Sequence, residues 1–150
     1  MNLSTYTRQV ALRQPDHPAL LWEGAQLSYA GFEDQVSRIA GGLIRRHGLA
    51  PGAKVAMTME NCPEFLPVLF GIWRAGLTAV PINAKLHARE FAWIFGNSGA
   101  ELVIATPALA AKLEPGPTVI STAEADYAAL LASEPAEQDG HHPGVVTQAV

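Results

Sequence analysis

Apolar and polar positions divide the chain into an opening stretch of mixed elements and a regular alternation of strand and helix behind it. Leu3 to Gln14 predicts a short helix capped by Ser4 or Thr5, stopped at Pro15-Asp16-His17-Pro18, where two prolines remove donors and forbid continuation. The run "ALLWEGAQLSY" predicts a β-hairpin turning at Glu23-Gly24. From Ser28 onward, Phe32, Val36, Ile39, Ala40, Leu43 and Ile44 recur at helical spacing, with Glu33, Asp34, Ser37, Arg38, Arg45 and Arg46 filling the gaps. This is an amphipathic helix whose acids lie near its start and arginines near its end, the order the helix dipole favours, and Gly48 supplies the stop. Gly41-Gly42 inside it costs about 1 kcal/mol per glycine relative to alanine, which predicts a close neighbour at that point.

From Lys54 the pattern becomes periodic. Lys54 to Met59 predicts a strand, and "NCPEF" opens a helix to about Ala75, with Asn61 or Cys62 as cap and Pro63 in the first turn. Pro67 sits badly in that scheme, so a kink or a later helix start is expected. Gly76 ends the helix, and "LTAVPIN" is a short apolar strand. A helix to about Asn97 follows, with Phe91, Ile94 and Phe95 inward, then the strand "ELVIA". A short helix at Thr106 to Leu113, the strand "PTVIS" and a helix at Ala123 to Ala132 complete the series. The fold class is therefore α/β: a mostly parallel sheet with crossover helices, preceded by an N-terminal helix and a β-hairpin. Residues 1–132 form the domain, and the polar, Pro/Gly-containing 133–150 reads as a linker or a tail foreign to it.

Composition narrows the function classes. The chain has 150 residues, 49% hydrophobic and 16% charged, which excludes disorder over most of its length. A net charge of -4, with no basic cluster beyond Arg45-Arg46, removes the footprint of a nucleic-acid binder. The single cysteine, Cys62, fits a reducing compartment, and no signal-like segment opens the chain, so a cytoplasmic protein is expected. Phe65 to Ile82 is nearly long enough for a membrane span, but Pro67, Gly71, Arg74, Gly76 and Pro81 interrupt it.

No residue set announces an active centre. Phosphate loops need glycines so that backbone N–H groups can approach the phosphate, and the turn Glu60-Asn61-Cys62-Pro63 has none. Cys62 as a nucleophile would need a base and a lowered pKa; packing or capping is the favoured reading. The neighbours His141-His142 do not stand at a metal-ligand spacing, and His17, His47 and His87 are isolated at element ends. Trp73, Phe91, Trp93 and Phe95 could wall a pocket, but at helical spacing core is favoured. Asn83, Lys85 and Arg89 are a mildly suggestive polar set, with surface residues the favoured reading.

The stretch "KVAMTMENCPEFLPVLFGIWRAGLTAVPINAKLHAREFAWIFGNSGAELVIA" resembles the N-terminal part of the AMP-forming adenylating enzymes, especially the acyl-CoA synthetases (fatty-acid CoA ligases). The likeness rests on Asn61, Pro63, Glu64 and Phe65, then Ala75-Gly76, Val80, Pro81 and Asn83. It continues through Lys85-Leu86, Arg89-Glu90 and Ser98-Gly99-Ala100, and upstream "PDHPALLWEG" and "LSYAGFEDQVSRIAGGL" resemble the family's opening.

The resemblance implies ATP-dependent conversion of a carboxylate to an acyl-adenylate, then thioester formation with coenzyme A, with Mg²⁺ as cofactor in the full-length enzymes. Such enzymes are several times longer, and their Ser/Thr/Gly-rich ATP loop and catalytic lysine have no counterpart here. No catalytic, cofactor-binding or metal-binding residue is therefore carried over, and no cofactor is expected for this chain alone. Three readings stay open: a truncated synthetase piece inactive by itself, a non-catalytic module pairing with a ligase remainder or with itself through exposed apolar faces, and a small nucleotide-binding domain.

Overall fold

The computed structural model describes residues 2–136. The opening helix α1 (Ser4–Arg13) is capped by Asn2 rather than by Ser4 or Thr5: the Asn2 Oδ1 accepts from the Ser4 N–H at 3.0 Å. The same side chain donates through Nδ2 to the Trp73 carbonyl, so the cap also fastens the N-terminus to the body. The hairpin forms as expected from β1 (Pro18–Trp22) and β2 (Ala25–Ser28). Its turn residues Glu23 and Gly24 both have positive φ, 46° and 84°, the geometry that matches the twist of a two-residue hairpin.

Helix α2 (Tyr29–Arg45) starts where Ser28 Oγ accepts the Gly31 N–H. Phe32, Val36, Ile39, Ala40 and Leu43 face inward, but Ile44, expected on that face, is 39% exposed at the rim. The glycine pair has the close neighbours its position predicts. A Cβ on Gly41 would collide with the Glu134 carbonyl, and one on Gly42 would stand 2.6 Å from Leu130 Cδ2. The Ala136 N–H donates to the Ser37 carbonyl at 2.8 Å, so Ser133 to Ala136, the first residues of the polar ending, lie packed along α2.

Behind the hairpin lies a four-stranded parallel sheet in the order β4-β3-β5-β6. Its strands are β3 (Lys54–Thr58), β4 (Thr78–Ile82), β5 (Leu102–Ala105) and β6 (Thr118–Ser121). The crossovers are α3 (Phe65–Arg74), α4 (Ala88–Ser98) and the single turn α5 (Pro107–Ala110); α6 (Ala125–Leu131) follows β6. Helix α3 takes the later start that Pro67 requires: neither Asn61 nor Cys62 is its cap, Glu64 precedes it, and Pro67 falls in the first turn, where no N–H is needed. Gly76 and Gly99 end their helices at φ 72° and 69°, conformations that glycine adopts without strain.

Alternate residues of each strand feed two cores. Val55, Met57, Leu102, Ile104 and Ile120 pack against α2, α3 and α6, while Ala56, Val80, Val103 and Ala105 pack against Phe91, Ile94 and Phe95 of α4. Burial on both faces explains why these strands read as continuous apolar runs. Across the first core, Arg74 is 4% exposed and bonds bidentately to Glu33 of α2 at 2.6 and 3.0 Å, while its other donors reach Ser4 Oγ and the Ser4 carbonyl. Glu33 therefore serves this pair rather than the dipole of its own helix.

Candidate functional site

Open α/β sheets hold ligands outside the carboxyl ends of their strands, where successive crossovers leave to opposite faces. Here that point lies between β3 and β5, because α3 packs on one face and α4 on the other. It is bridged by the protein itself. The Thr106 N–H donates to the Thr58 carbonyl at 3.3 Å, and the Glu60 N–H donates to Thr106 Oγ1 at 3.4 Å. The N–H groups of Glu64 and Phe65 face the Cys62 sulfur, so the start of α3 turns its donors to a thiol. With these donors engaged and Glu60 beside them, the turn does not fit a phosphate. Among the described residues no group of three His, Cys, Asp or Glu could hold a metal ion, so the Mg²⁺ and ATP of the resemblance have no site there.

The residues singled out by sequence are dispersed. Asn83 Oδ1 accepts the Lys85 N–H at 2.9 Å, and Lys85 and Arg89 are exposed. His87 and Glu90 form a capping box at the start of α4, with Glu90 Oε2 taking the His87 N–H at 2.8 Å. Phe91 and Phe95 belong to the second core, Trp73 packs on the first, and Trp93 is 63% exposed, so the four aromatics build no wall. His17 is exposed; burial, then the neighbouring Arg46, lowers the pKa of His47. His141-His142 lie outside the described residues. Burial, reinforced by Glu64, pushes the Cys62 thiol up from 9.0 to about 11, which keeps it protonated and argues against a nucleophile.

The polar groups left over converge elsewhere. Under the hairpin, between α2, the start of α3 and α6, lies an open cleft of about 260 Å³. Leu20, Trp22, Leu27 and Leu131 give it apolar walls, and Gln26, Gln35, Glu64 and Tyr127 bring polar atoms. Tyr127 is buried, and its hydroxyl has no hydrogen-bond partner among the described residues. Burial first, then the Glu64 and Cys62 charges, hold the Tyr127 phenol well above the ordinary tyrosine range. These residues come from four separate elements, so no spacing could have assembled them. The one sequence signal was Glu64 within the quoted "NCPEF".

Comparison with known proteins places this architecture. The family of AMP-binding enzymes matches residues 7–148. The chain belongs to that family. The match runs through the polar ending as far as residue 148. A crotonobetaine/carnitine–CoA ligase of Citrobacter koseri is 40% identical over 91 residues, which cover 57% of this chain and 17% of the relative. A benzoate CoA ligase from Burkholderia xenovorans superposes with a TM-score of 0.87 at 20% identity, over 95% of this chain and 31% of that one, a likeness of fold. The N-terminal domain of FACL13 from Mycobacterium tuberculosis superposes at 0.80 and 27% identity, over 96% and 39%. The chain thus corresponds to the N-terminal region of AMP-forming acyl-CoA synthetases and spans well under half the length of these proteins. Among the described residues, no helix is long and apolar enough to cross a membrane.

Proposed function

We propose that this chain is the N-terminal scaffold of an acid–thiol ligase, inactive alone. The complete enzyme would convert a carboxylic acid to its acyl-adenylate with ATP and Mg²⁺ and pass the acyl group to coenzyme A. The observation that carries this reading is the family match over residues 7–148, joined to 40% identity with a CoA ligase. The scaffold's part is structural: it supplies a sheet buried on both faces, from which later segments can present catalytic groups. Metabolism of fatty or related acids in the cytoplasm is the setting we assign to it, in keeping with the single protonated cysteine.

ATP–pyrophosphate exchange tests both halves of the reading. The isolated 150-residue chain should show none with any acid. A chimera in which it replaces the matching segment of the Citrobacter koseri ligase should exchange with that ligase's own acid. Exchange by the isolated chain would refute inactivity, and a folded but silent chimera would refute the scaffold role.

A second reading has its own support. Leu21, 73% exposed, and the half-exposed Trp22 and Leu66 give the hairpin and the start of α3 an apolar outer surface. That surface suits a non-catalytic module docking a separately encoded ligase remainder. A monodisperse monomer that captures no such remainder in sedimentation would end this reading.

A further inference from the structure

We propose that the cleft beneath the hairpin binds a small organic ammonium ion, its head between Glu64 and Tyr127 and its aliphatic part along Leu20, Leu27 and Leu131. This is separate from the ligase reading and stands or falls without it.

Charge comes first. Glu64 is the one formally charged residue in the lining, and among the described residues it takes part in no ion pair. Its neighbour Cys62 offers only a thiol proton, a weak donor. A partly buried carboxylate without a cation keeps a desolvation cost that a charge-assisted N⁺–H···O⁻ bond offsets. The same carboxylate repels carboxylates and phosphates, so the acid and nucleotide of the ligase reaction are the wrong ligands for this cleft.

Donor chemistry agrees. An ammonium head has N–H groups to give, and the cleft offers acceptors on Glu64, on the Tyr127 hydroxyl and on the Gln26 and Gln35 carboxamides. The buried Tyr127 hydroxyl lacks a partner in the described structure, and an ammonium supplies one. Trp22 on the wall adds aromatic surface of the kind that attracts cations. Size sets the class: about 260 Å³ lies just below the roughly 300–1,000 Å³ range of pockets for drug-sized ligands. A short alkylamine suits it better than a peptide or a nucleotide.

Calorimetric titration of the 150-residue chain with n-hexylammonium, 1-hexanol and hexanoate tests the proposal. The ammonium should bind at least about tenfold more tightly than the alcohol, with hexanoate giving no saturable heat; one factor of ten corresponds to one charge-assisted contact. Glu64→Gln should remove that advantage and leave hexanol binding as it was. Gln35→Lys, which places a tethered ammonium beside an intact Glu64, should abolish hexylammonium binding, and it decides the matter if Glu64→Gln fails to fold. Equal affinity for hexanol and hexylammonium, wild-type ammonium affinity in either folded variant, or no binding of hexylammonium would each overturn the proposal.

Discussion

On the side of the sheet covered by α2, α3 and α6, helices meet through backbone and glycine, whereas on the side covered by α4 they meet through phenylalanine rings. Gly71 of α3 lies so close to α2 that an added Cβ would stand 2.6 Å from Ile39 Cγ2, and Gly41 and Gly42 bring α2 against α6 and the segment after it. Phe91 and Phe95 fill the opposite face with rings stacked 6.4 Å apart, and Gly96 of the same helix has nothing within 4 Å of its missing Cβ. The same residue type thus carries opposite meanings on two helices of one domain. On one face glycine is a requirement of approach; on the other it is only a weak helix former.

The largest effect should come from the buried ion pair that spans α1, α2 and α3. Arg74→Met removes the guanidinium and leaves Glu33, 17% exposed at its side chain, without its cation. Breaking such a pair costs about 3 kcal/mol, because an uncompensated charge remains behind. Urea denaturation of the chain should show that loss; a change below about 1 kcal/mol would mean the pair behaves as a surface salt bridge.

Next come the glycines themselves. Gly71→Ala should destabilise by about 1–3 kcal/mol, since Ile39 must leave its position to admit the methyl group. Gly96→Ala should stabilise by about 0.5–1 kcal/mol through helix propensity and a less free unfolded chain. Measured side by side, the two variants should differ in sign. If both destabilise, the α4 face is as tightly packed as the other, and the contrast fails.

The sequence made much of this legible because its cues were local. The period of the apolar positions gave the inner faces of α2 and α4, the runs from Lys54 onward gave the parallel strands, and the Gly41-Gly42 cost pointed to a close neighbour. It did not say which neighbour, because Glu134 is almost a hundred positions away and contact at that separation leaves no periodic trace. Arg74 shows the same limit: read as the basic end of a helix, it is the buried centre of a three-helix junction. The cap of α1 went to Asn2 because its side chain reaches both the Ser4 N–H and the Trp73 carbonyl, a choice set by tertiary structure. The polar set after β4 misled for a physical reason: turn and capping chemistry uses the same residue types as binding sites. Those groups are spent on the chain itself, and the unspent ones, Glu64 and Tyr127, lie under the hairpin.

The smallest effect separates the two faces by pH. Among the clustered residues, ionisable groups pack only on the α2/α3/α6 face, where Tyr127 lies in the core and Cys62 against it. Cys62 titrates near 9.0 when unfolded and about 11 when folded, so between those values the unfolded chain has released a proton that the folded chain retains. The unfolded state then binds fewer protons, and stability falls as pH rises. The contribution is fully present below about pH 9 and is progressively lost as the folded thiol's own pKa near 11 is approached. Tyr127, raised by burial, adds to the same slope at higher pH. The urea midpoint of the wild type should therefore drop between about pH 8.5 and 10.5, and Cys62→Ser should drop less over that window. An equal drop in both proteins would show that the thiol does not contribute, and would leave alkaline sensitivity to residues outside this face.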